Sequence, residues 1–162
     1  MGVLQKSLLL AMLAVFAGVV PADADSEAEA AAADCTQKED PDLAIARCTQ
    51  FIQVIQSKPA LAATYGTRGS AYAHKAERFD AASEERKKYM DQAFADFTKA
   101  ITLDPSSAAN WSTRGSYYGI IGENQKAIAD LRHALDLNPP EPLRKDVVES
   151  LKALGIDAEA SR

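Results

Sequence analysis

Apolar residues recur every three or four positions through most of the chain after residue 41, which is the spacing of one face of an α-helix. One such series is Tyr89, Ala93, Phe97 and Ala100. Ser83 precedes this series and is a favoured helix N-cap, while Pro105 and Pro139 follow two periodic stretches and would stop a helix. The pattern predicts an all-α fold.

Two phrases occur twice along the chain, with different offsets. TRGSAY at 67–72 returns as TRGSYY at 113–118, which is 46 positions later, whereas QAFADFTKAITLDP at 92–105 returns as KAIADLRHALDLNP at 126–139, only 34 positions later. We interpret 34 residues as the repeat length. The 12 extra residues then lie between Tyr72 and Ala93, and we expect them to lengthen both helices of that hairpin by about 1.5 turns each.

The repeated residues carry a resemblance to a known family. One copy contains Trp111, Gly115, Tyr118, Ala127, Leu131, Ala134 and Pro139, and the other contains Tyr65, Gly69, Tyr72, Ala93, Phe97, Ala100 and Pro105. This order resembles the tetratricopeptide repeat, with Arg68 and Arg114 at a position where the pattern has leucine. The resemblance implies a short α-solenoid of antiparallel helix hairpins, wound as a right-handed superhelix and closed by a capping helix.

The repeats divide the chain into units. We expect a tetratricopeptide-like domain over 41–157, with a half repeat at 41–58, a repeat with the insertion at 62–107, a repeat at 108–141 and a capping helix at 142–155. The first unit is a half repeat because Ala44, Cys48 and Phe51 have the offsets of a second repeat helix and no first helix is predicted before them. A short tail occupies 158–162.

The first 24 residues are typical of a secretory signal. Lys6 precedes an apolar run from Leu8 to Val20, and Ala22-Asp23-Ala24 offers a cleavage site. An uncleaved anchor or a buried core helix is the alternative interpretation. Cleavage would leave a flexible leader over 25–40 and an exported protein, periplasmic or secreted, with no membrane insertion.

Export gives the two cysteines a role. Cys35 and Cys48 are the only pair, and an oxidising compartment favours a disulfide between them. Unpaired thiols are the main alternative, since a redox dithiol would normally show C-x-x-C and a zinc site would need further ligands.

Charge and motifs exclude several classes of function. The chain carries a net charge of −5, which does not attract nucleic acid or anionic lipid. His74 and His133 lie in different units, with no spacing of carboxylates or cysteines around them that would build a metal site. We therefore expect no enzyme activity, no cofactor and no metal, and we expect a monomer.

The resemblance also implies where a partner would bind. The first helices of the units would line a concave groove that holds a peptide or protein, and the residues matched to this groove are Gly66, Thr67, Ser70, His74, Ser112, Thr113, Ser116 and Gly119. The expected function is that of a non-catalytic scaffold of the cell envelope. The alternative is an accessory subunit or small enzyme whose site lies elsewhere, such as the charged EERKK run at 84–88.

Two arginines and two aspartates recur with the repeat. Arg68 and Arg114 occupy one repeat position, and Asp96 and Asp130 occupy another in the paired helices. We expect structural ion pairs, either within each unit or between Asp96 and Arg114 across units. The alternative is that the arginines extend to solvent over buried stems.

Overall fold

A computed structural model describes residues 35–36 and 39–158. Its described part contains six α-helices: α1 Pro41–Val54, α2 Lys58–Ala76, α3 Glu84–Leu103, α4 Ala108–Ile120, α5 Asn124–Asp136 and α6 Glu141–Ala153. No strand occurs among these residues, so the all-α class predicted from the sequence is confirmed. The predicted signal at 1–24, the leader residues 25–34, 37 and 38, and the end of the tail lie outside the described residues.

The helices pack as consecutive hairpins. Arg68 contacts Asp96 and Tyr72 contacts Tyr89, so the partner position falls along α3 as the chain position rises along α2, and the two helices are antiparallel. The helices α4 and α5 form the second hairpin, α1 packs on α2, and α6 packs on α5 and α4. The result is a helical repeat solenoid.

Two glycines allow the paired helices to approach closely. A Cβ atom at Gly69 would lie 2.6 Å from the Phe97 ring, and one at Gly115 would lie 2.9 Å from Leu131 Cγ. Both distances are shorter than side chains tolerate, so a larger residue would push the helices apart. This confirms the reason inferred from the sequence for placing glycine in the middle of two helices, where it otherwise costs about 1 kcal/mol.

The helix α2 begins earlier than the sequence predicted. We expected the second unit to start at 62, whereas α2 starts at Lys58 and α1 already ends at Val54. Ser57 supplies the reason, because its side chain accepts a hydrogen bond from the Ala60 backbone amide. Pro59 lies in the first turn, where a missing backbone donor costs nothing.

The insertion lengthens its hairpin unequally. Ile120 at the end of α4 corresponds to His74, and α2 continues only two residues further, to Ala76. Asn124 at the start of α5 corresponds to Met90, whereas α3 begins six residues earlier, at Glu84. The expectation of equal extension on both arms is therefore wrong. Ser83 fixes the early start, since its hydroxyl accepts from the Arg86 amide.

Two clusters of buried side chains lie within the described residues, and they follow the units. In one, Leu131 of α5 packs with Val147 and Leu151 of α6, all fully buried, and Trp111 borders them. In the other, Phe97 packs with Ala73 and Ala93 between α2 and α3. The helix α6 thus covers the apolar face that the last hairpin could not bury by itself, as a terminal cap of a solenoid must.

Each arginine pairs with the aspartate of its own unit. Arg68 Nε and Nη2 donate to the two Asp96 carboxylate oxygens at 2.7 and 2.9 Å, and Arg114 binds Asp130 in the same bidentate way at 2.7 and 3.0 Å. The arginine side chains are 16% exposed and the aspartates 8%. These hydrogen bonds raise the pKa of each guanidinium above its usual value.

The same arginines also reach the preceding unit. Arg68 Nη1 donates to the Thr49 hydroxyl of α1 at 3.0 Å, and Arg114 Nη1 donates to the Thr98 hydroxyl of α3 at 3.3 Å. Each guanidinium therefore joins three helices. Since the threonines occupy one repeat position, this contact repeats with the units.

The amino-terminal end of α1 is fixed at several points. A disulfide joins Cys35 to Cys48. Lys75 of α2 forms an ion pair with Asp42, and Arg78 Nη2 donates to the Glu39 carbonyl oxygen at 3.3 Å. The end of α2 and the turn that follows it therefore hold the chain that leads into α1.

Candidate binding surface

Five of the eight predicted groove residues lie on accessible positions of α2 and α4. Thr67, Ser70 and His74 follow one face of α2, and Thr113 and Ser116 occupy the corresponding positions of α4. His74 is exposed and the other four are half-buried. We call these five residues the α2–α4 surface.

Two hydroxyls of this surface, those of Thr67 and Ser70, donate within their own helix. Thr67 Oγ1 donates to the Ala63 carbonyl oxygen at 3.0 Å, and Ser70 Oγ donates to the Gly66 carbonyl oxygen at 3.2 Å. Their free lone pairs can accept a hydrogen bond from a partner's backbone amide. Their small size would let that backbone come close to the helix.

The other three predicted residues are placed differently. Ser112 is buried, with 8% of its surface exposed, so the expectation that it faces an open groove is wrong. A Cβ atom at Gly66 would point towards Asn110 Oδ1 at 3.7 Å. One at Gly119 would meet Leu154 Cδ2 at 3.8 Å. Gly66 therefore faces α4, and Gly119 faces Ala127 of α5 and the residue that follows α6. The sequence match did not distinguish these positions from the accessible ones.

A pocket of about 260 Å³ lies at one end of this surface. Its walls are Thr67, Ser70, Ala71 and His74 of α2 on one side, and Cys35, Thr36 and Pro41 on the other. Because Cys35 is bonded to Cys48, the disulfide fixes the second wall against α1. The pocket has room for one side chain of a bound segment.

One difference between the two six-residue phrases accounts for this pocket. TRGSYY places Tyr117 where TRGSAY has Ala71. The Tyr117 ring stacks on Phe97 at 5.0 Å and meets His74 edge-on at 6.4 Å, so it fills the space between α4 and the preceding unit. Ala71 leaves the equivalent space beside α2 open.

Tyr117 is also a functional candidate that the sequence analysis missed. Burial raises the pKa of its phenol, and a hydrogen bond with Ser70 acts in the opposite direction. The phenol therefore stays neutral beside the α2–α4 surface. The sequence did mark this position, because Tyr117 is the single residue by which TRGSYY differs from TRGSAY.

The charges around the surface are mixed. His74 Nδ1 lies 3.5 Å from Glu77 Oε2, and Lys75 is held by Asp42, whose hydrogen bond raises the pKa of the lysine. A single cation therefore does not dominate this end of α2. The arrangement suits a polar or neutral segment better than a ligand with a strong charge.

In the part of the chain that the structure covers, His, Cys, Asp and Glu form no group of three that could hold a metal ion. Among the same residues, no helix is sufficiently long and apolar to span a membrane.

Comparison with known proteins identifies one repeat. Residues 108–141, which contain α4 and α5, match the family model of the tetratricopeptide repeat. No curated protein and no solved structure matches the chain. The repeat is an interaction module that is typically non-catalytic and binds proteins. The helix pair α4–α5, which contains the second half of the α2–α4 surface, is therefore similar to a tetratricopeptide repeat.

Proposed function

We propose that this protein is a non-catalytic interaction scaffold of the cell envelope, and that it binds a peptide or protein along the α2–α4 surface. The observation that carries the proposal is the row of small hydroxyl residues that leads along α2 into the pocket beside Ala71. A surface of this kind lets a partner's backbone approach closely while one side chain enters a cavity.

The residues around the pocket limit the chemistry of the partner. Thr67, Thr113 and Ser70 can accept hydrogen bonds from backbone amides, and the His74 and Tyr117 rings offer apolar contact. The surface residues themselves carry no lysine or arginine. We therefore propose a segment bound through its backbone and one inserted side chain rather than through a terminal carboxylate.

The disulfide supports a location outside the cytosol. Disulfides persist in oxidising compartments, and the Cys35–Cys48 bond closes one wall of the pocket. Together with the signal predicted at 1–24, this favours the periplasm or the exterior. In that compartment the disulfide would form before the partner binds, so the pocket would already be in place.

The proposed function can be tested by filling the pocket with a tyrosine, the residue that the next unit has at the equivalent position. Ala71→Tyr should occupy the space between α2 and residues 35–36, because Tyr117 fills the equivalent space one unit later. Crosslinking followed by affinity capture from the cell envelope would be compared between Ala71→Tyr, Ser116→Arg and the unmodified protein. Recovery of the partner should fall at least about tenfold in both variants.

The control is Lys99→Glu on the exposed side of α3, which should leave recovery unchanged. Circular dichroism melts would show that all variants remain folded. If both surface variants fold and still recover the same partners as the unmodified protein, binding along the α2–α4 surface is excluded. Attention would then move to the hairpin end around 84–88.

A further inference from the structure

Tyr117 shows which side chain fits between α4 and the preceding hairpin. Its ring packs on the buried cluster of Ala73, Ala93 and Phe97, and it stacks on the Phe97 ring with 5.0 Å between the centroids. Its phenol forms a hydrogen bond with Ser70 on α2. The side chain thus has apolar contact along its ring and a polar partner at its tip, which is the combination that a buried tyrosine needs.

The corresponding site between α2 and α1 lacks such a ring. Ala71 stands at the position of Tyr117, and the pocket of about 260 Å³ lies beside it. Cys48 takes the repeat position of Phe97, and its disulfide partner Cys35 lines the pocket. The pocket therefore offers a disulfide where Tyr117 meets an aromatic ring.

The walls of the pocket carry no permanently charged side chain. Among the described residues that form them, none is an aspartate, a glutamate, a lysine or an arginine. Cys35 and Ala71 are 3% and 6% exposed, and Pro41 is buried as well, so part of the wall is apolar. A charged side chain would lose its hydration there without gaining a counter-ion. The pocket therefore favours a large neutral side chain.

Two features favour an aromatic ring with a hydroxyl over an aliphatic side chain. A sulfur atom next to an aromatic ring makes a favourable contact that leucine or isoleucine cannot make. Thr67 Oγ1 donates to the Ala63 carbonyl oxygen, so its lone pairs can accept a phenolic hydroxyl. Ser70 Oγ is in the same way the partner of the Tyr117 phenol one unit later.

We propose that the pocket recognises a tyrosine side chain of the bound segment. The ring enters between α2 and residues 35–36, beside the Cys35–Cys48 disulfide, and its hydroxyl donates to Thr67. The partner is then a protein that exposes a tyrosine in a segment whose backbone can approach α2. This inference rests on the proposed function, because it names the side chain that the α2–α4 surface selects.

Capped five-residue peptides test the choice of side chain. They carry tyrosine, leucine or lysine at the centre and alanine elsewhere, and each is titrated into the full chain with the disulfide intact. Nuclear magnetic resonance follows the methyl signals of Thr67 and Ala71 in the pocket wall. The tyrosine peptide should shift both signals saturably and bind at least about tenfold more tightly than the other peptides.

Variants of the protein locate the binding. Ala71→Tyr fills the pocket and should abolish binding of the tyrosine peptide, whereas Ala95→Tyr adds the same ring on the exposed side of α3 and should leave binding unchanged. Thr67→Val removes the hydroxyl but keeps the shape of the wall. It should weaken the tyrosine peptide about threefold or more and leave the leucine peptide unaffected, which keeps the test decisive if Ala71→Tyr unfolds.

Equal binding of the leucine peptide, tighter binding of the lysine peptide or no shift with any peptide would each overturn the proposal. A loss of binding in Ala95→Tyr as large as in Ala71→Tyr would place the peptide outside the pocket and would also overturn it. If the tyrosine peptide fails while capture from the cell envelope is still lost in Ser116→Arg, only the tyrosine assignment is wrong and the proposed function stands. If Ser116→Arg also leaves capture intact, the proposed function fails as well.

Discussion

Arg114 shows how one polar side chain can be accommodated where the repeat pattern has leucine. Its guanidinium is satisfied on both carboxylate oxygens of Asp130 and on Thr98, and the Trp111 ring lies 5.2 Å from its Cζ atom. Burial of a charge is tolerated when it is paired and hydrogen-bonded in this way. The same set of contacts surrounds Arg68.

Removing one partner of the Arg114–Asp130 pair should lower the free energy of unfolding. Arg114→Met would leave the buried Asp130 without its counter-ion, and we expect a loss of about 3 kcal/mol in the free energy of unfolding. Urea unfolding followed by circular dichroism measures it. The double variant Arg114→Met/Asp130→Leu should recover part of the loss, because no buried charge then remains unpaired.

The control for this prediction is the exposed pair of Lys145 with Glu149, in which both side chains are well exposed. Lys145→Met should leave the unfolding midpoint unchanged. An equal effect in both single variants would mean that Arg114 contributes only through its aliphatic stem.

At the scale of elements, the insertion is accommodated mainly by α3 and the turn. The α4–α5 connection needs only Ile121, Gly122 and Glu123, and Gly122 has a positive φ of 82°. In the longer hairpin the chain turns over 77–83, and no residue there has a positive φ. The longer connection therefore avoids a position that requires glycine.

Deleting residues 77–88 should leave a folded helical protein if the turn is repaired. The deletion restores the 34-residue spacing and places Ala76 at the position of Gly122. An alanine at positive φ costs about 1–2 kcal/mol, so the deletion combined with Ala76→Gly should be more stable than the deletion with Ala76 by roughly that amount. Thermal melts compare the two proteins.

The deletion also removes Arg78, which donates to the Glu39 carbonyl oxygen, and Phe79, which stacks on Tyr89 at 5.5 Å. The start of α1 should therefore become more exposed to proteolysis, while α4 to α6 stay protected. Loss of a cooperative melt even with Ala76→Gly would show that the hairpin end is part of the core.

The sequence predicted the helix pairs well because each unit repeats its small and large residues at fixed positions. Gly69 facing Phe97 and Gly115 facing Leu131 follow from local spacing. The sequence-based prediction failed where the packing of neighbouring helices determines whether a residue is exposed. Ser112 and Ser116 are both small and polar, yet Ser112 is buried and Ser116 is half-buried. The pocket could not be predicted, because it depends on residues 35–36 meeting α2.

At the scale of the whole molecule, the two ends of the described part are held by different means. At the carboxyl end α6 buries Val147 and Leu151 against the last hairpin. At the amino end the Cys35–Cys48 bond holds the chain on α1. A stack in which units contact only their neighbours is weakest at its ends, so both devices act where unfolding would begin.

Breaking the disulfide should lower the melting temperature of the whole domain. Closing a loop of about 14 residues stabilises by roughly 3 kcal/mol in the chain-entropy model, so Cys48→Ala should lower the melting temperature by roughly 10 °C. Reduction of the unmodified protein is the matched control and should give a similar decrease. Mass mapping without reductant checks the bond itself, and full alkylation of both thiols would contradict it.

The shared arginine contacts determine whether the array could be extended. Thr49 and Thr98 receive the arginine of the following unit, but the third unit has Arg132 at that position. A further unit carrying its own arginine would therefore meet a like charge at the junction. If residues 108–141 were duplicated to lengthen this protein, the added unit would pack best with a threonine in place of Arg132. The side chain of Arg132 alone therefore disfavours a further repeat at this position.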